Sequence, residues 1–408
     1  MAVGLPILGF TDHESHEIFP IWAISISFKI VPYDGVTRMS NKMKKDNKRK
    51  HTGIYAVAAI LMLATVVIGD TEQPLANAIP TVQITDVVGR TVEIPANVTC
   101  VASLAGQGYD KFIILNQIDK VSEMHPATCP WAFKVAPQLK DIPIVASEND
   151  PNIEDLLSRN VQVVFSMYFR KGVDKMTDAG IPVVVPQFAA DNDNSGLPQN
   201  ESEFEDLVKQ EMMLYGRVLG PEAEKNADDW CEYFDQLVKH VKSRTQGLNS
   251  SQRPTVFWGK GPDPQITHTK NSYPQWFVEI AGGDYAAENV TGAGVQTISI
   301  EQIIKWNPDF IFLGRVNNTS IVMDDPKWKN IKAVQNRNVY LSPAGVSWWD
   351  YGSEGVLFME FVAKTIHPEL FQDLDMIKEI KKYYSKFYRY DLTDEEANRI
   401  LKHLPPAN

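Results

Sequence analysis

Aromatic and cationic side chains are concentrated in the loops that follow the apolar strand candidates of this chain. In the first half these are Trp131, Tyr168 and Arg170; in the second they are Trp258, Lys260, Tyr273, Arg315, Trp348, Trp349 and Tyr351. Aromatic faces bury an organic shell, while guanidinium and ammonium groups neutralise carboxylate or catecholate oxygens. The mixture suits a large, partly apolar, anionic metal complex held without covalent chemistry. Aromatics near loop ends also pack beneath a fold, so about half of the set is expected to be core. Trp348 and Trp349 are neighbours on an extended segment, so they point opposite ways and cannot both enter one core.

Bond-making chemistry has no comparable support. The chain lacks a GxxxxGK(S/T) phosphate loop, an HExxH helix and a GxSxG elbow. The adjacent carboxylates Asp228-Asp229 and Asp324-Asp325 point apart and read as solvated faces. No catalytic residue is assigned, and no enzyme is expected. A site for a bare metal ion needs a preformed cluster of His and carboxylates, because dehydrating a small ion takes several strong ligands. Of His125, His240, His268, His367 and His403, only His125 and His268 fall in these loops. No metal ligand set and no cofactor are assigned.

The elements that must carry these loops follow from composition and pattern. With 408 residues, 44% hydrophobic and 22% charged, the chain has material for two globular domains. Its three cysteines cannot form a disulfide scaffold, and none sits in a CxxC pair that would suggest zinc or thiol redox. A formal charge of −11, with no basic patch in the globular part, argues against nucleic acid. One apolar run, Ile54 to Gly69, excludes a multispan permease. It follows a segment, Met39 to Gly53, with six bases against the single acid Asp46. Residues 39–78 therefore read as a signal peptide or an N-terminal anchor, with small residues near Ala76 and Ala78 for cleavage. Residues 1–38 read as an over-long start or a disordered extension, translation being expected to begin at Met39 or Met43. Six Asn-x-Ser/Thr sequons fit a surface protein but carry little weight.

The chain also matches itself. Asn152–Phe165 (NIEDLLSRNVQVVF) lies over Ser299–Phe312 (SIEQIIKWNPDFIF). Each copy reads as an N-cap residue, a short helix with a buried Ile/Leu stripe, then an apolar strand. Upstream, Val98–Ser103 and Tyr109–Leu115 correspond to Thr255–Gly259 and Tyr273–Ile280; downstream, Ile181–Pro186 and Asn338–Ser342 add strands. Alternating strands and helices predict two Rossmann-like α/β lobes with parallel sheets, at 81–220 and 251–370. Between them, Glu201 to Gln246 is helical in composition, interrupted at Gly220-Pro221. A single long helix at 222–246, roughly 35 Å in length, joins the lobes. Residues 371–408 read as a charged helical tail, its aromatics docking it on the second lobe.

With this pattern the chain resembles the substrate-binding proteins of ABC importers for iron complexes, siderophores, haem and cobalamin. The likeness runs from about residue 81 to 370. Ile84–Pro95 resembles the family's opening hairpin, Val98–Ser103 its first core strand, and Ala281-Gly-Gly-Asp284 the segment after the first helix of its second lobe. The resemblance implies a ligand cleft between the lobes, lined by the aromatic and cationic residues named above. It also implies permease docking through Glu154 and Glu301, one per lobe; the alternative is that each merely complements its helix dipole. The expected function is capture of an iron(III), siderophore-like complex outside the cytoplasm by a monomer that works with an ABC permease and its ATPase. Cobalamin or haem carried by the same mechanism, and a surface sensory protein without a transporter, are the alternatives.

Overall fold

The computed structural model describes residues 80–407 apart from 148, 168, 169, 188–195, 293 and 351. The readings of residues 1–38 and 39–78, and of Tyr168 and Tyr351, therefore lie outside the described residues. Among the described residues no helix is long and apolar enough to cross a membrane.

The chain opens with an antiparallel hairpin of β1 (Thr81–Thr85) and β2 (Thr91–Pro95), in register from Thr81 opposite Pro95 to Thr85 opposite Thr91. Gly89, at φ +80°, takes the left-handed corner that an L side chain resists. The first lobe follows: β3 (Val101–Ser103), β4 (Val121–Met124), β5 (Val163–Phe165) and β6 (Val183–Val184) form a parallel sheet in the order β4-β3-β5-β6. The central strands β3 and β5 are buried at every residue, as expected of a sheet covered on both faces.

The second lobe repeats the plan. Here β7 (Thr255–Gly259), β9 (Asp284–Tyr285), β11 (Phe310–Leu313) and β12 (Val339–Leu341) form a parallel sheet in the order β12-β11-β7-β9. A side ribbon pairs β8 (Ile266–His268) with β10 (Val295–Thr297). The duplicated segments are helices Ile153–Ser158 and Ile300–Trp306, each running into the next strand of its sheet. Asn152 caps the first by accepting from Glu154 N and Asp155 N, and Ser299 caps the second by accepting from Gln302 N. The expected stripe is only half buried. Leu156 and Ile303 are in the core, whereas Leu157 and Ile304 face outward.

The linking helix spans Pro221–Thr245, 25 residues. Near its start Asn226 Nδ2 donates to Leu115 O of the first lobe at 3.0 Å, and at its end Thr245 Oγ1 donates to Ile280 O of the second at 2.8 Å. The helix before it, Glu201–Leu219, folds back antiparallel along it. Lys242 pairs with Glu201 and Glu205 at 2.8 and 2.9 Å, and Lys209 with Asp235 at 3.0 Å. Gly216 permits this approach, since a Cβ there would stand 2.8 Å from the Ala227 methyl.

The tail departs from expectation. Helices Met376–Tyr383 and Asp394–Leu401 flank a wide turn, Tyr384–Tyr388, and pack on both lobes. Tyr384 OH accepts from Val346 N at 3.0 Å and Tyr383 OH donates to Ser353 O at 3.0 Å, both in the second lobe. Arg389 Nη1 donates to Ile113 O and Ile114 O of the first lobe at 3.1 and 3.3 Å, and Leu404 O accepts the Trp131 indole N–H at 2.9 Å. The tail reaches the first lobe through Arg389, which donates to the last carbonyls of helix Tyr109–Ile114, Ile113 O also accepting from Asn116 N at 3.1 Å.

Candidate functional site

Where the lobes face each other, a cavity of about 270 Å³ is lined by Gly106, Gln107, His125, Pro126 and Thr128 from the first and by Arg315 and Trp348 from the second. Gly106 and Gln107 follow β3, His125 to Thr128 follow β4, Arg315 follows β11, and Trp348 lies beyond β12. All are loops at the C-terminal ends of parallel strands, where ligands bind in such sheets. The lobes also touch at the rim. Gln107 Oε1 accepts the Trp348 backbone N–H, and Trp348 Nε1 donates to Thr128 Oγ1 at 2.9 Å. Deeper, Tyr109 OH donates to Val346 O at 2.8 Å and Asp110 Oδ2 accepts from Ser353 N at 2.8 Å.

The second lobe supplies the charge. Arg315 Nη2 donates to both oxygens of buried Asp350, at 3.0 and 2.8 Å, and His268 Nε2 lies 3.3 Å from Asp350 Oδ2. Burial alone would raise the Asp350 carboxyl, but Arg315 and His268 overcome it and hold it down at about 2. Burial pushes His268 down, against Asp350, and toward the neutral form. Burial also lowers Lys260, as does the nearby Arg315. Arg315 thus brings a guanidinium to the cleft wall beside the Asp350 carboxylate, a group able to meet negative oxygens of a ligand. The Arg315 guanidinium lies 5.6 Å from the Trp348 ring centroid, in cation–π range. Arg315 itself sits at φ +54°, a conformation that costs a non-glycine residue energy and recurs at functional sites.

The segment carrying Trp348 is held from behind. Fully buried Glu354 accepts from Ser347 N at 3.0 Å and from Trp349 Nε1 at 3.2 Å, while Tyr384 holds Val346. Burial pushes the Glu354 carboxyl up to about 7 against these donors. Below the cleft, buried Lys111 pairs with Glu211 at 3.1 Å and Asp110 at 3.4 Å. The two acids keep Lys111 charged despite its burial.

Of the ten residues assigned to ligand binding, Arg315 and Trp348 line the cavity, with Lys260 close behind. Four assignments are corrected, three of them tryptophans. Trp131 is 1% exposed and hydrogen-bonded to Leu404; Trp258 is 1% exposed, with its ring 4.8 Å from Phe358; Trp349 is fully buried on Glu354. None of these three rings lines the cavity. Tyr273 is corrected as well: its OH donates to Glu211 Oε2 at 3.1 Å, and it borders a separate space of about 20 Å³ beside Lys111, enough for one water. Arg170 opens helix Arg170–Asp178, of which only the backbone is described at that position. Glu154 and Glu301 are exposed in the first turns of their helices. His125 lines the cavity and His268 is held by Asp350; among the described residues no group of three or more His, Cys, Asp or Glu is placed to hold a metal ion.

Sequence reasoning did not single out Gln107, Thr128 or Asp350, although all three lie in loops that follow strand candidates. The available signal was Asp350 itself: a lone acid in an aromatic loop demands a cation, and Arg315 was already in view.

The sequence model of the family described as periplasmic binding protein matches residues 101–345. The molybdate-binding protein MolA of Haemophilus influenzae is 25% identical over 336 residues, covering 78% of this chain and 93% of its own length. The iron-uptake system-binding protein of Bacillus subtilis is 23% identical over 271 residues, covering 59% of this chain and 78% of its own. Among solved structures, that of MolA bound to molybdate superposes with a TM-score of 0.68 at 24% sequence identity, covering 76% of this chain and 99% of that one.

Proposed function

The chain belongs to the periplasmic binding protein family, and from that premise we propose that it captures a compact anionic metal species outside the cytoplasm for an ABC importer. The observation that carries this reading is the cleft of about 270 Å³, whose polar wall is Arg315 over Trp348 with Gln107, His125 and Thr128 opposite. Sites for drug-sized ligands run from roughly 300 to 1,000 Å³, so the volume favours a small cargo. The iron(III)-complex reading narrows accordingly, to a chelate about the size of ferric citrate. A metal oxyanion such as molybdate offers the same chemistry, negative oxygens around a metal, and a relative that covers most of this chain is named for it. Haem and cobalamin exceed the volume of about 270 Å³, which disfavours them as cargo.

The mechanism is binding and delivery. The cargo's oxygens meet the Arg315 guanidinium and the donors across the cleft, and its flank lies on the Trp348 indole. Glu154 and Glu301, one on each lobe, then dock the monomer to a permease, and a separate ATPase drives release. The test is titration of the exported chain with molybdate, tungstate, ferric citrate, a ferric tricatecholate, haem and cyanocobalamin. Tryptophan fluorescence is the readout, with Trp348→Phe identifying the reporter. Saturable binding of an oxyanion or ferric citrate that Trp348→Phe silences supports the reading. Tight binding of cobalamin or haem, or of none of these anions, defeats it.

A further inference from the structure

The two docking helices share more than an acid. Leu157 is 51% exposed and Ile304 40%, while the residue before each, Leu156 and Ile303, is fully buried. Leu157 lies three positions after Glu154 and Ile304 three after Glu301, so on each helix the acid and the aliphatic are surface neighbours. A core position calls for an apolar residue in both copies, but an outward position does not. Single exposed aliphatics are ordinary; two at matched places in a duplicated unit, each beside the matched acid, are a shared surface.

That surface lies beside the cleft. Arg159, at the end of the first helix, contacts Cys100 at the start of β3 through a 3.3 Å hydrogen bond. Asp309, just after the second helix, donates from its backbone N–H to Thr255 O at the start of β7 at 2.8 Å. Both helices therefore end at the strand starts and begin at the strand ends, on the side where the cleft loops are. The charges of their first turns are acidic, Glu154 with Asp155 in one and Glu301 in the other. A complementary partner is basic, has an apolar seat beside each base, and presents this pair twice.

We infer that Leu157 and Ile304 form the apolar half of a duplicated docking surface, each with its neighbouring glutamate, for a two-fold symmetric permease carrying basic and apolar contacts. This rests on the importer reading. Apolar anchors ringed by polar contacts carry most of the energy of protein interfaces.

The test measures binding of the full chain to the purified permease–ATPase complex in lipid nanodiscs. Leu157→Ser and Ile304→Ser are expected to weaken it about tenfold each and about a hundredfold together, the sites lying on different lobes. The swaps Leu157→Ile and Ile304→Leu keep full affinity, and unchanged thermal midpoints show that every variant is folded. If the serine pair binds normally while Glu154→Ala with Glu301→Ala does not, the inference is overturned and the importer reading stands. If the wild-type chain does not bind the complex, both are overturned. If the chain is a dimer that the serine pair dissolves, the surface belongs to a second copy, which also overturns the inference.

Discussion

On its first lobe the cleft is bounded by Gly106, Gln107, His125, Pro126 and Thr128; on its second by Arg315 and Trp348, backed by Lys260, His268 and Asp350. The sheets that carry these loops have equivalent strand order and matched helices. Duplication has thus preserved the frame while the chemistry divided, with charge and indole on one side and small polar donors on the other. On the proposed reading, the second lobe would offer a negative cargo its cation and the first lobe its hydrogen-bonding groups.

The sharpest way to break this division is Arg315→Ala. It removes the cation from the wall and leaves buried Asp350 without its strongest partner, so anion binding is lost and stability falls by about 3–5 kcal/mol in urea unfolding. Asp350→Asn separates the two effects: the fold weakens, but anion affinity is retained or raised. Because the folded Asp350 carboxyl is held at about 2 against an ordinary 3.8, its contribution is present above about pH 4 and disappears between 4 and 2.

Glu354 behaves in the opposite sense. Its folded value of about 7 exceeds the ordinary 4.5, so the folded state binds the extra proton. Stability from this group is full below pH 4.5 and is lost as pH rises through 7, by about 3 kcal/mol in all. Thermal midpoints should fall between pH 5 and 8 for this reason, and Glu354→Gln should flatten the slope. Arg389→Ala tests the join between the lobes: loss of its bonds to Ile113 and Ile114 costs about 1–2 kcal/mol, with faster hydrogen exchange in helix Tyr109–Ile114. Smallest of all is the effect of Glu154→Ala with Glu301→Ala on the isolated protein, within about 0.5 kcal/mol in stability and nil on ligand affinity, although uptake is abolished.

The frame was legible because its signals are local. Asn152 and Ser299 announce their helices as caps, Gly220-Pro221 marks the break before the long helix, and Thr255–Gly259 and Tyr273–Ile280 form the elements their patterns imply. The lining of the cleft was legible only in part. Strand β7 is buried from Val256 to Gly259 because helices cover both faces of its sheet, so Trp258 at the strand end looks the same whether it enters the core or the cleft. Trp131 and Trp349 were misjudged for another reason. Their indole N–H groups are satisfied by Leu404 and Glu354, from distant or folded-back segments that sequence spacing does not reveal. Trp348 and Trp349 do diverge, one to the cavity and one to the core, which alternation along an extended segment does reveal.

The tail, tied to Val346 and Ser353 of one lobe and to Ile113 and Trp131 of the other, straps a molecule already joined by paired helices. A body bound twice along its spine is expected to open little, so that capture would sacrifice little freedom. The same stiffness resists discharge: prising the groove wide means tearing the Arg389 clasp and the Trp131 tether together. On the importer reading, unloading would then call for work performed from outside the molecule.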